Sequence, residues 1–230
     1  LFLEEGANVL LVDRDARRLN AAQNSLAAWS ERILTSACDV TDPNDVQRYV
    51  GAAVDTWGRI DVLFANAGLS GECRSVVDYS EQQFDSVMAV NVKAPFLACK
   101  YAIPHMSDGG SIIFTASIMG VRATARIVAY ATSKHAVIGL MKVVAHELAP
   151  RSIRANVIAP GPVDNGFQLS IEKELSAAMG VNATEMINSM IPLRRHARAE
   201  EIADTALFLA SARSSFSTGA VFMADGGLSA

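Results

Sequence analysis

The sequence predicts an α/β fold, a doubly wound and mostly parallel sheet with helices on both faces. Three observations carry this. Short continuous apolar runs such as Val9-Leu10-Leu11-Val12 recur along the chain, the pattern of strands buried on both sides. Stretches with helical periodicity separate them throughout, which makes successive strands parallel. Asp13, Asp39, Asn66, Ser117 and Pro160 each stand just after a run, and open parallel sheets bind ligands outside the carboxyl ends of their strands.

The elements follow in order. Residues 1–5 read as a helix end, with Gly6 in the left-handed cap position. Residues 8–12 form a strand closed by Asp13, and residues 15–29 have helical periodicity. A second strand at 33–38 ends at Asp39, and a helix over 42–57 starts at Asp42-Pro43, a cap followed by a residue whose missing N–H costs nothing there. A third strand, 61–65, leads into Asn66-Ala67-Gly68. One long helix over 81–105 carries Asn91 near its middle. Then come a strand at 111–115, a helix over 129–148, a strand at 154–158 ending in Pro160-Gly161, and a less regular stretch over 163–191. A helix over 199–212 and a strand at 220–223 precede Asp225-Gly226-Gly227. No short-period repeat or Pro/Ser-rich linker divides the chain, so residues 1–230 read as one domain.

Composition narrows the function classes. The 230 residues are half hydrophobic, enough for a sizeable core, and the net charge of −4 comes from interspersed charges of both signs. No basic stripe points to nucleic acid or an anionic membrane, no apolar run reaches spanning length, and nothing reads as a signal peptide. Cys38, Cys73 and Cys99 fit neither a zinc site nor a disulfide framework. Free thiols in a reducing compartment make the cytoplasm the expected location. The histidines, His105, His135, His146 and His196, show no metal-ligand spacing and read as structural or exposed; no metal is expected.

The candidate chemistry lies in residues 117–134. Tyr130 and Lys134 are four apart on a predicted helix and share a face. An ammonium beside a phenol favours phenolate, so the pair predicts a tyrosine able to exchange a proton near neutral pH. Ser117 lies thirteen positions before the tyrosine.

With Asn66-Ala67-Gly68, Asn91, Ser117, Tyr130, Lys134, Pro160-Gly161 and Asp225-Gly226-Gly227 in this order and spacing, the chain resembles the short-chain dehydrogenase/reductase family in its single-domain, Rossmann-type form, over essentially all 230 residues. The resemblance implies that Tyr130 exchanges the proton with the substrate oxygen. Lys134 would lower the tyrosine pKa and hold the nicotinamide ribose. Ser117 would donate a hydrogen bond to the same oxygen, and Asn91 would anchor a water in a proton relay. It also places Asn66, Ala67, Gly68, Pro160, Gly161 and Val163 along the cofactor, and Asp39-Val40 at its adenine. Asn165 stands where the family has a threonine on the carboxamide. Asp13, an acid after the family's second strand, would accept from the adenosine ribose 2′-OH and repel a 2′-phosphate, which favours NAD over NADP despite Arg14 beside it.

Residues 163–191, with Phe167, Leu169, Leu175, Met179, Met186 and Met190, resemble the family's substrate lid, suited to a partly hydrophobic small-molecule alcohol or ketone. A homotetramer built on the two long helices is implied. The family's glycine-rich phosphate loop would fall before residue 1, as would the strand preceding it; in the family's strand order, 3-2-1-4-5-6-7, their absence leaves two unpaired edges mid-sheet. The sequence is therefore expected to be an N-terminally incomplete record of a longer enzyme. The expected activity is hydride transfer between NAD(H) and a secondary alcohol or ketone. The alternatives are a non-catalytic structural or regulatory relative and, further off, an isomerase or dehydratase using the same Tyr/Lys pair.

Overall fold

The computed structural model describes the backbone of residues 1–230 and the side chains of all but 178 and 179, so Met179 of the expected lid lies outside the described side chains. Six strands and eight α-helices alternate: β1 (Val9–Asp13), α1 (Ala16–Ser25), β2 (Ile33–Ala37), α2 (Pro43–Trp57), β3 (Ile60–Ala65), α3 (Glu81–Met88), α4 (Ala94–Ala102), β4 (Met106–Thr115), α5 (Val128–Leu148), β5 (Arg154–Pro160), α6 (Gly166–Met179), α7 (Ala183–Met190), α8 (Ala199–Ala210) and β6 (Val221–Ala224). Every ladder is parallel.

The strands form two sheets, β1-β2 and β3-β4-β5-β6. β1 pairs only with β2 and β3 only with β4, so the sheet is interrupted at the expected place. This corrects one expectation: β1 is half-buried along its whole length rather than enclosed on both faces, because one of its edges has no partner strand. β4 and β5, inside the larger sheet, are the most deeply buried strands. Alternate residues of β4 point to opposite faces. Ile112 and Phe114 pack with Val137, Met141 and Val144 of α5, whereas Ile113 packs with Ala206 and Leu209 of α8. Leu10 and Val12 of β1 join Val46, Tyr49 and Leu97 in a third cluster, which holds the smaller sheet to the rest by side-chain packing.

Local signals set most boundaries. The first residues make a single turn closed as a Schellman motif, Ala7 N donating to Phe2 O and Gly6 N to Leu3 O with Gly6 at φ +88°. Asp42 caps α2 through Asn44 N at 2.8 Å, with Pro43 in the first turn.

Two elements differ from the sequence reading. The predicted single helix over 81–105 is α3 and α4 joined through a π turn at Ala89–Lys93, with Pro95 opening α4. The stretch read as less regular contains two helices. Asn165 caps α6 through Gln168 N, Gly180 ends it in the left-handed region at φ +69°, and Asn182 caps α7. Their charges are scattered among the apolar positions, which hides the periodicity. Among the described residues no helix is long and apolar enough to cross a membrane.

Candidate active site

Ser117, Tyr130 and Lys134 meet beyond the carboxyl end of β4. Ser117 leaves the strand in extended conformation and opens a short 3-10 turn, Ile118–Gly120, by accepting from Met119 N at 3.2 Å. That turn lies directly on α5. A Cβ at Gly120 would stand 2.8 Å from Lys134 O, so only glycine lets the backbone carrying Ser117 come this close to the helix carrying the pair. Tyr130 and Lys134 face the same way on α5, the lysine Nζ 5.6 Å from the centre of the tyrosine ring.

Lys134 is buried, and its Nζ donates to Thr115 O at 2.8 Å. Burial pushes its pKa down to about 8. The Tyr130 hydroxyl moves the other way: burial raises its pKa, and a hydrogen bond with Ser117 pulls it partly back. The sequence reading had the ammonium lowering the tyrosine. In the structure desolvation dominates at both groups, and the ammonium is aimed at the Thr115 carbonyl.

Asn91 sits in the π turn, buried. Its Oδ1 accepts from Leu69 N at 2.7 Å, and its Nδ2 donates to Leu69 O and to Ser133 Oγ, both at 2.9 Å. Both amide protons are engaged within the protein. The side chain therefore pins the segment after Asn66-Ala67-Gly68 to α5. Ser133 passes the link on by donating to Tyr130 O. A π turn suits this role because its extra residue re-aims one side chain without ending the helix.

The turn after β3 is tied to β4 as well, Thr115 Oγ1 donating to Asn66 Oδ1 at 2.8 Å. A Cβ on Gly68 would be 3.5 Å from both Asn91 Oδ1 and Lys134 Nζ, so the Gly68 backbone borders the lysine directly. Thr115 thus holds both Asn66 and Lys134. Sequence reasoning missed it, along with Ser133 and Gly120; the one available signal for Thr115 was its place at the end of a strand, two residues before Ser117.

On the smaller sheet, Asp13 ends β1 and accepts from Asp15 N at 2.8 Å, and Asp15 caps α1. Asp39, after β2, accepts from Thr41 N and Oγ1, its own N–H donates to Asp45 Oδ2, and half-buried Val40 follows it. On the far side, Gly161 N donates to Ala224 O at 3.0 Å, and a Cβ there would lie 2.8 Å from Asp225 Cα. Pro160-Gly161 and Asp225-Gly226-Gly227 are thereby packed backbone to backbone. The Asp225 carboxylate accepts from Gly227 N and Ser229 N, which closes the turn after β6. Val163 bridges to Ala197. Asn165, which stands where the family has a threonine, uses Oδ1 on the α6 cap.

The residues fit a nicotinamide dinucleotide. A carboxylate at the end of β1 suits a ribose diol, side-chain-free backbone at Gly68 borders an ammonium, and each stands at or just beyond the carboxyl end of its strand.

A family model described as enoyl-(acyl carrier protein) reductase matches residues 1–229. The chain is 36% identical to a 3-oxoacyl-[acyl-carrier-protein] reductase of Thermotoga maritima over 99% of this chain and 90% of that protein. It is 34% identical to levodione reductase of Leifsonia aquatica over 98% and 86%. A crystal structure of levodione reductase superposes with a TM-score of 0.93 at 32% identity, covering 98% of this chain and 89% of that one. ElxO with NADP bound superposes at 0.89 with 29% identity, covering 99% and 90%. The chain belongs to the short-chain dehydrogenase/reductase family. It is an oxidoreductase of the nicotinamide-dependent kind.

Proposed function

We propose that the protein interconverts a secondary alcohol and a ketone with NAD(H). The observation that carries this reading is the convergence of Ser117, Tyr130 and Lys134 at the end of β4, locked by Gly120 and Thr115. When bound, the nicotinamide gives hydride to the carbonyl carbon or takes it from the carbinol. Tyr130 gives its proton to the substrate oxygen during reduction and receives it during oxidation. Ser117 donates a hydrogen bond to that oxygen, stabilising the charge that builds there. Lys134 holds the nicotinamide ribose and, with a pKa near 8, passes protons near neutral pH. Asn91 keeps the Asn66-Ala67-Gly68 turn in place beside it.

Asp13 favours NAD, since a carboxylate repels a 2′-phosphate; Asp39 and Val40 border the adenine, and Pro160, Gly161 and Val163 the nicotinamide edge. Exposed Phe167, Leu169 and Met190 on the lid helices support a partly hydrophobic substrate. Phe96 on α4 and Val143 on α5, exposed on outward faces, support a homotetramer built on those helices. Three free cysteines support the cytoplasm.

NADH fluorescence on mixing protein, NAD and a panel of secondary alcohols tests the proposal. The expected result is NADH formation with at least one alcohol, reduced about 10³-fold or more in Tyr130→Phe with NAD affinity retained. Activity undiminished in that variant would overturn the roles, and faster turnover with NADP would overturn the cofactor preference.

A further inference from the structure

α6 and α7 are not held to the domain by apolar packing alone. Glu172 of α6 is buried and is met from three directions: Gln168 Nε2 donates to its Oε1 at 2.9 Å, Thr184 Oγ1 of α7 donates to its Oε2, and His196 Nε2 lies 2.6 Å from Oε1. The other imidazole nitrogen, Nδ1, lies 2.8 Å from Asn188 Oδ1 of α7. His196 belongs to the segment that pairs with the base of the site, where Asp164 N donates to Ala197 O and Ala197 N to Pro162 O. One imidazole therefore touches both lid helices while standing on the backbone that continues from Pro160-Gly161. A cavity of about 400 Å³ opens beside it, lined by Asn165, Gln168, Leu169, Thr184 and the two partners themselves.

We propose that Glu172 and His196 are positioning residues that latch the α6–α7 lid to the base of the site, one imidazole bridging the two helices. Both ring nitrogens face oxygen acceptors. An imidazolium satisfies both by donating twice. A neutral imidazole keeps both contacts by donating to Glu172 and accepting from the Asn188 amide once that amide turns over, so the bridge stands in either form.

Burial works against the Glu172 carboxylate, but the hydrogen bonds from Thr184, Gln168 and His196 outweigh it and hold its pKa below the ordinary value, so it stays ionised. On the imidazole's own segment, Arg195 and Arg198 are both paired with Glu201 of α8. Asp164 is the charged group contributed by the segment after β5, and α7 presents neutral Thr184 and Asn188 to the cavity.

That the lid covers a substrate rests on the oxidoreductase reading; the latch itself does not, and it is tested without turnover. Amide hydrogen exchange of the intact chain is followed over α6 and α7 in the wild type and in His196→Gln. The expected result is protection about 3- to 10-fold weaker in the variant over both helices, the order of effect of losing a hydrogen bond between buried groups. Asn188→Ala, which leaves the Glu172 contact intact, should loosen α7 more than α6. A folded His196→Gln protein whose α6 and α7 exchange as slowly as those of the wild type overturns the latch. In turnover assays His196→Gln should raise KM with kcat little changed. Loss of all activity with the exchange pattern intact would count against the enzyme reading instead.

Discussion

Ser117 shows how much a single hydroxyl is asked to do. It caps its own turn, hydrogen-bonds Tyr130 and faces the position proposed for the substrate oxygen. Its bond holds the Tyr130 pKa down against burial, so Ser117→Ala lets that pKa rise further. Alcohol oxidation needs the phenolate to accept the proton, so the alkaline rise of kcat/KM should move to higher pH. The rate on the plateau should fall by about 10²- to 10³-fold for the lost donor. A pH profile of kcat/KM checks this, and an unmoved rise would detach Ser117 from Tyr130. That Ser117, Tyr130 and Lys134 come together was legible at this scale, because residue type, spacing and order point to them. The direction of the tyrosine shift was not, because desolvation depends on what the fold stacks around the ring. His196, read as structural or exposed, turned out to bridge two helices, a contact between residues 24 apart that no spacing rule reports.

At the scale of elements, close backbone contacts decide where the chemistry stands. The strand–helix alternation was readable because buried strands and amphipathic helices differ in apolar period. The π turn was not, since one extra residue barely disturbs a helical pattern; its effect shows only in the aim of Asn91 toward Leu69. The glycine contacts were equally silent in sequence. Pro160-Gly161 and Asp225-Gly226-Gly227 could be noted as motifs, but not that each is the other's packing surface. Gly161→Ala places a methyl 2.8 Å from Asp225 Cα, a backbone atom that cannot swing aside. The variant should lose about 1–3 kcal/mol of stability, read from the urea midpoint. A midpoint within error of the wild type would show that the turn after β6 yields.

For the whole molecule, the divided sheet is the governing fact. The expected interruption could be read from strand order, whereas the half-exposure of β1 that follows from it needed the three-dimensional arrangement. β4 and β5 are paired on both edges and buried, whereas β6 ends the larger sheet, so the backbone amides of β4 and β5 should exchange well after those of β6. Exchange read by NMR checks this, and equal protection across the three strands would contradict the topology.

The same division has a mechanical side. Asp13 and Asp39 ride on one sheet, Tyr130 and Lys134 on the other, and the cluster around Leu10, Val12 and Leu97 joins them without a hydrogen-bond ladder. Apolar side chains interdigitate at crystal-like density, so the span between the two groups that would grip a dinucleotide is set by how closely those side chains fit together.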